Sequence, residues 1–199
     1  MDFIYNKDFI EIKDKKLSKL DKLVFDFIKL IEKDIKYVII SGYVAILFGR
    51  NRSSEDIDIF IEKIIFKKFK TIWEKISKYF ECINTSDVKN AYDNYLSKGL
   101  ALRFAKKNTF IPNIEIKFPK VELDVWTLSE CKKVIINNKI LNISPLELEI
   151  PYKLFLGSEK DIEDAMHLYH LFKEYLNMKF FMEFNRKLKT HELFNKYLK

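Results

Sequence analysis

Cysteine, histidine, glycine and proline are all scarce, at 2, 3, 4 and 4 of 199 residues. Cys82 and Cys131 stand far apart, with no spacing that zinc or redox chemistry uses, so both are expected as reduced thiols. His167 and His170 lack a nearby third ligand and read as ordinary side chains. Few glycines and prolines argue against long disordered linkers, and no repeat is visible. No apolar run approaches the roughly 20 residues that span a bilayer, and no N-terminal signal pattern is present. A soluble, cytoplasmic protein without a membrane partner is expected.

What the chain does contain is apolar surface and positive charge. At 48% hydrophobic it can bury a sizeable core, enough for one domain with a helical appendage or two small lobes. A net charge of +7 favours anionic partners, and nucleotides, RNA and DNA all qualify.

The stretch with a legible chemical purpose runs from Ser41 to Glu62, SGYVAILFGRNRSSEDIDIFIE. The β-branched run Tyr37 to Ile40 predicts a strand that stops at Ser41 and Gly42, where a chain can turn sharply. Tyr43 to Phe48 predicts a short helix closed by Gly49. After a polar loop, residues 56 to 61 alternate, so that Asp56 and Asp58 project from one face of a strand, roughly 7 Å apart, and Ile57 and Ile59 from the other. Two like charges so close repel, and a divalent cation between them removes that penalty. Mg²⁺, a hard ion that prefers oxygen, also takes phosphate oxygens. The N–H groups at the start of the short helix favour a phosphate near residues 42 to 44. Taken alone, Asp-Ile-Asp reads first as an ordinary edge strand with a solvated acidic face, and it is the combination with the turn and short helix that points to a site.

Ser41-Gly42, Gly49, Arg52 and Asp56-Ile57-Asp58, in that spacing, resemble the signature of the DNA polymerase β-like nucleotidyltransferases, and most closely the branch containing AbiEii-type abortive-infection toxins. Ser41 stands where a first glycine is usual. The resemblance covers roughly residues 36 to 176. It implies an α/β (α+β) fold, a mixed sheet flanked by helices with a helical C-terminal part, divided as a catalytic core over residues 1–143 and a helical lobe over 144–199. It implies transfer of a nucleoside monophosphate from an NTP, with pyrophosphate released, to an RNA such as tRNA or to a protein. Two Mg²⁺ or Mn²⁺ ions would be held by Asp56, Asp58 and a third acid, and Ser41, Gly42 and Arg52 would meet the triphosphate. A toxin role with an antitoxin protein as partner is also implied. The alternative is a catalytically inactive module of the same fold that binds nucleotide or RNA.

The third acid has two candidates on expected strands. Glu115 lies in Ile114-Glu115-Ile116 and Asp124 in Leu123-Asp124-Val125, with Glu122 sharing the face of Asp124. Glu115 is preferred, without excluding Asp124. Strands are expected over 100–105, 114–118, 121–126, 134–136 and 140–143, the last two joined by a turn at Asn137-Asn138. Helical spacing predicts an amphipathic helix over 14–34 with a solvated lysine face, and another with Ile65, Phe69, Ile72, Trp73, Ile76 and Phe80 on its buried stripe. Ser86 is expected to cap a short helix whose Tyr92 and Tyr95 face inward. Ser144-Pro145-Leu146-Glu147 predicts a helix start with Ser144 as N-cap, and Pro151 a bend within that helix. Ser158 starts the next helix, on which Lys160 can pair with Asp164. Lys179 opens a lysine-rich C-terminal helix. In the resembling branch Lys153 would reach the triphosphate, and Lys160-Asp161 with Asp164 would tie the helical lobe to the catalytic sheet.

Overall fold

The structure is a computed structural model and describes residues 2–6 and 8–199. The chain divides into two compact units interleaved in sequence. One contains Met1–Lys15, Ile40–Arg52 and Glu130–Lys199, the other Lys16–Ile39 and Ser53–Ser129.

The second unit is built on strands in the order β3 (Tyr37–Ile40), β4 (Asp56–Ile61), β7 (Asn113–Lys117), β6 (Leu102–Lys106), β5 (Phe80–Cys82), β3 ending on the first residue of the other unit. β4 and β7 run parallel, while β6 is antiparallel to both β7 and β5. Alternation sorts the side chains: Ile57, Ile59, Ile114, Ile116, Leu102 and Phe104 are buried on one face, and the acids point to the other. Helices α1 (Lys19–Ile31) and α3 (Phe66–Ile76) supply the apolar cover, Phe27 packing on Phe80 and Phe104, and Trp73 on Phe104.

Several expected boundaries shift for local reasons. α1 begins at Lys19 instead of 14, because Asp14 has φ 52° and Ser18 forms a capping box with Asp21, each side chain accepting from the other's backbone N–H. α3 stops at Ile76, and Phe80, expected on its stripe, opens β5. Asp87, one residue after the expected Ser86, caps α4 (Val88–Asn90), which continues as a π turn over Ala91–Tyr95 and a 3-10 turn over Leu96–Lys98. Tyr92 lies in an aromatic cluster with Phe66, Phe69 and Phe118, and its hydroxyl donates to the Ile64 carbonyl at 2.7 Å.

The strand expected over 121–126 is helix α5 (Glu122–Ser129). Asp124 is therefore on no strand, and its carboxylate accepts the backbone N–H groups of Lys120 at 2.8 Å and Val121 at 3.2 Å, capping the helix start.

The first unit holds strands in the order β1 (Phe3–Tyr5), β2 (Phe9–Ile12), β8 (Lys132–Ile136), β9 (Lys139–Ile143). β2 and β8 are parallel, whereas β1 with β2 and β8 with β9 are antiparallel. The β8–β9 turn falls at Asn137-Asn138 as expected, with φ 48° and 63°, the left-handed pair that a two-residue hairpin demands. From Leu146 onward the unit is helical: α6 (Leu146–Leu156), α7 (Glu159–Phe172), α8 (Met178–Lys187) and α9 (His191–Tyr197). Phe172 packs on Phe3 and Phe48, and Phe181 on Tyr169 and Phe194.

α6 starts differently from expectation. Pro145 is the N-cap and no side chain caps the helix. Ser144 is buried, and its hydroxyl favours the charged form of the Glu149 carboxyl, while Glu147 accepts from the Asn177 backbone. The helix continues through Pro151. Ser158 caps α7 as expected. No helix among the described residues is long and apolar enough to cross a membrane.

Candidate active site

In the second unit the parallel pairing of β4 with β7 sets Asp58 beside Glu115 and Asp56 beside Asn113. In-register neighbours share a face, and residues two apart on one strand do too, so Asp56, Asp58 and Glu115 all project from the same side of the sheet. The antiparallel register of β6 brings Arg103 opposite Glu115 on that side. Lys117, two residues beyond Glu115, joins them.

These cations engage two of the three acids. Lys117 Nζ lies 2.9 Å from Asp58 Oδ1, and Arg103 Nε 2.5 Å from Glu115 Oε1. The bond to Glu115 raises the Arg103 pKa, with the charges of Asp56 and Asp58 adding to it. Asp56 is exposed and receives the Ser54 hydroxyl at 3.4 Å. No three His, Cys, Asp or Glu side chains among the described residues are gathered closely enough to form a metal cage. The donor set itself, three carboxylates on one face of two adjacent strands, has the hard-oxygen chemistry that Mg²⁺ or Mn²⁺ requires. Lys117 and Arg103 supply the neutralising charge that such an ion would bring. Neither was singled out in the sequence, although strand alternation from Glu115 points to Lys117.

In the first unit the predicted strand end, sharp turn and short helix are present, with α2 spanning Gly42–Leu47. Ser41 has φ 65° and ψ −141°, a conformation L-residues avoid. Gly42 is required by a close approach, since a Cβ there would lie 2.3 Å from Arg52 Nη2. Arg52 cannot easily yield, because its Nε and Nη2 form a fork on the Asp164 carboxylate at 2.9 and 2.8 Å.

Asp164 has no exposed surface and also meets Lys153 Nζ at 3.1 Å. Lys153 is 1% exposed and lies 2.8 Å from Asp161 Oδ1. Burial opposes its charge, but Glu149, Asp161 and Asp164 together outweigh that and raise its pKa. Asp161 also takes the Ser158 hydroxyl, and its pKa is lowered, since burial is overcome by its bonds to Lys153 and Ser158. The partners of Asp164 are thus Arg52 and Lys153, where the sequence suggested Lys160. Arg50 adds an ion pair with Glu163 and approaches Asp164 at 3.8 Å. His167 meets the Phe48 carbonyl at 3.1 Å, so α7 is fastened to the loop after α2 at several points.

Glu149 was not anticipated. It is 2% exposed, and burial pushes its carboxyl up to about 7 despite Lys153, the Ser144 hydroxyl and the Ser41 backbone N–H, which all favour the charged form. The available signal was its place four residues before Lys153 on one helix face.

No family model matches the sequence, and no curated protein resembles it in sequence. Solved structures do resemble it in fold. A nucleotidyltransferase-like antigenic protein from Paracoccidioides brasiliensis superposes with a TM-score of 0.52 at 15% identity, over 87% of this chain and 88% of that one. The antibiotic-resistance factor ANT(2″)-Ia superposes with a TM-score of 0.55 at 11% identity, over 88% and 94%. At these identities the likeness is one of fold, and the fold is that of nucleotidyltransferase-like proteins: mixed α/β, a mixed sheet flanked by helices.

Proposed function

We propose that the chain is a metal-dependent nucleotidyltransferase, moving a nucleoside monophosphate from an NTP to an acceptor hydroxyl on an RNA such as tRNA or on a protein. The observation that carries this reading is the register that sets Asp58 beside Glu115 with Asp56 on the same face. Asp56, Asp58 and Glu115 would hold Mg²⁺ or Mn²⁺. An ion bound there supplies Lewis-acid activation of the acceptor and neutralisation of charge on the departing pyrophosphate. Lys117 and Arg103 orient the Asp58 and Glu115 carboxylates until they are displaced. Ser41 and Gly42 are the proposed triphosphate contacts. Arg52 and Lys153, committed to Asp164 and Asp161, would act mainly by holding that turn, with any direct contact to phosphate requiring them to exchange partners. A toxin role, with an antitoxin protein as partner, belongs to the same reading through the sequence resemblance.

A second reading, an inactive module that binds nucleotide or RNA, is favoured by one feature: the ion pairs of Asp58 and Glu115 need no metal to complete them. Incubating the purified chain with labelled NTPs, Mn²⁺ and total RNA separates the two. Transfer of label that is lost in Asp58→Ala supports the enzyme. Nucleotide binding without transfer refutes it in favour of the module.

A further inference from the structure

On the helix-covered face of the second unit, a groove of about 510 Å³ opens where α1 passes the paired ends of β5 and β6. It is lined by Asp26, Lys29 and Leu30 from α1, by Tyr79 and Phe80 where β5 begins, and by Lys106 where β6 ends. Register sets it apart from the acids. Lys106 is paired with Phe80 and both reach α1, Phe80 packing on Phe27 and Lys106 meeting Asp26, whereas Arg103 alternates to the acid face. The volume is that of a site for a small ligand or one unit of a longer chain.

Its chemistry is mixed. Phe80 is 1% exposed and forms an apolar floor, while Tyr79 stands at the rim with 62% of its surface open. Lys106 Nζ lies 2.8 Å from Asp26 Oδ2, and the Lys29 ammonium has no partner among the described residues. Positive charge continues past the groove on both sides. Lys22 lies on the same stripe of α1, four residues before Asp26 and seven before Lys29, and exposed Lys78 and Lys107 adjoin Tyr79 and Lys106 in sequence. The Lys107 amide donates to the Tyr79 carbonyl at 3.3 Å, holding those two segments together.

This combination discriminates among anionic occupants. An acidic peptide would bring carboxylates against Asp26, a lipid surface does not enter a recess, and a free nucleotide would leave the lysines beyond the groove unused. A single nucleic-acid strand uses all of it: phosphates track the lysines, and a base stacks on the open Tyr79 ring. The Asp26 carboxylate is an acceptor only, and the ribose 2′-hydroxyl is a donor that DNA lacks.

We propose that this groove binds single-stranded RNA and that the acceptor of the transfer is therefore an RNA. The sheet order ends at β5, so a strand leaving the groove rounds a three-residue edge to reach the acids, with β7 two strand spacings, roughly 10 Å, inward. Naming the acceptor rests on the nucleotidyltransferase reading, whereas binding in the groove does not.

Fluorescence anisotropy with a labelled single-stranded RNA of about 12 nucleotides, within the usual site size, tests it. Tyr79→Ala and Lys29→Glu alter exposed side chains, and a thermal melt checks that both variants stay folded. Each should weaken binding about tenfold, the order of one lost stacked base, while Lys98→Glu, exposed and outside the groove, should change it by less than about threefold. DNA of the same sequence should bind at least about fivefold more weakly, and AMP or poly-glutamate should not displace the RNA. Irradiating the complex with thiouridine-substituted RNA should place a crosslink on the peptide containing Tyr79. Absence of RNA binding, equal weakening by Lys98→Glu, crosslinks confined to other peptides, or displacement by AMP or poly-glutamate would overturn the groove, and equal binding of DNA would overturn the assignment to RNA. Label transfer to RNA that is lost in Asp58→Ala but unchanged in Tyr79→Ala and Lys29→Glu would leave the enzyme standing and sink the groove. RNA held in the groove without any transfer would support the groove and remove the acceptor role together with the enzyme.

Discussion

Replacing Lys153 by methionine separates two roles that the sequence alone runs together. The Lys153 side chain is 1% exposed and its Nζ lies 2.8 Å from Asp161 Oδ1 and 3.1 Å from Asp164 Oδ2. Methionine fills nearly the same volume, so the change removes charge and hydrogen bonds with little cavity. Asp161 would keep the Ser158 hydroxyl and Asp164 the Arg52 fork, but Glu149 would lose the only charge that favours its ionised form. Breaking a buried pair by deleting one partner typically costs about 3–5 kcal/mol. For a chain of 199 residues that lowers Tm by roughly 10 °C, at ~2–4 °C per kcal/mol. Urea unfolding followed by circular dichroism at pH 7.5 measures it, and adding Asp161→Asn should restore a part by removing one stranded carboxylate. If Lys153 serves chiefly to reach a triphosphate, the variant should instead lose ATP affinity with less than about 1 kcal/mol change in the free protein, and the assignment to an internal network would be refuted.

The pH dependence has a definite sign. With a folded-state pKa of about 7 against an ordinary 4.5, Glu149 keeps a proton that the unfolded chain has already released, so stability falls as pH rises between those values, by about 3 kcal/mol, and the slope should vanish in Glu149→Gln. Asp161 acts oppositely at the acid end: its lowered pKa contributes stability that is lost as pH falls below 3.8, which acid titration of Asp161→Asn would show as a missing transition. Gly42→Ala should lower Tm, because its Cβ would meet Arg52 Nη2 at 2.3 Å and force apart a held fork, a strain of about 1–3 kcal/mol; an unchanged melt would mean that Arg52 is free to move. Lys117→Met should tighten Mn²⁺ binding measured by calorimetry, since it removes the cation that competes for Asp58, and weaker or unchanged binding would argue against a metal on that face.

The parts of the fold legible in the sequence are those where one period dominates. The strand-turn-helix around Ser41, the Asp-x-Asp strand, the Asn137-Asn138 hairpin and the Ser158 cap each carry a local instruction that packing does not override. Val121 to Trp126 misled because a six-residue run of mixed apolar and acidic residues fits either period, and the Asp124 carboxylate decides for helix by binding the amides just upstream. Strands β1, β2 and β5, at three or four residues each, are too short to announce themselves and are fixed by pairing partners distant in sequence. The acids of the candidate site were visible as Asp56, Asp58 and Glu115, but their partners were not. Whether an acid is neutralised by a lysine two residues from its neighbour, or by an arginine on the adjoining strand, depends on register, and register is set by tertiary contacts.

The two groups of charge differ in a way that bears on chemistry. Around Asp164 the charges are buried, each hydrogen-bonded from several sides, and desolvation makes any rearrangement expensive. On the β4–β7 face the side chains of Asp58 and Lys117 are 20% and 27% exposed, and that of Arg103 is 54% exposed. Pairs in reach of water are worth about 1 kcal/mol or less, because solvent competes for both partners. A divalent ion or a phosphate could displace Lys117 from Asp58 at small cost, whereas freeing the buried Glu115, whose side chain is 11% exposed, from Arg103 costs more, and Lys153 could not be displaced without unfavourable exposure of Asp161 and Asp164. The half-exposed Asp58–Lys117 pair is therefore the one able to exchange partners, and the buried charges around Asp164 are suited to hold a framework.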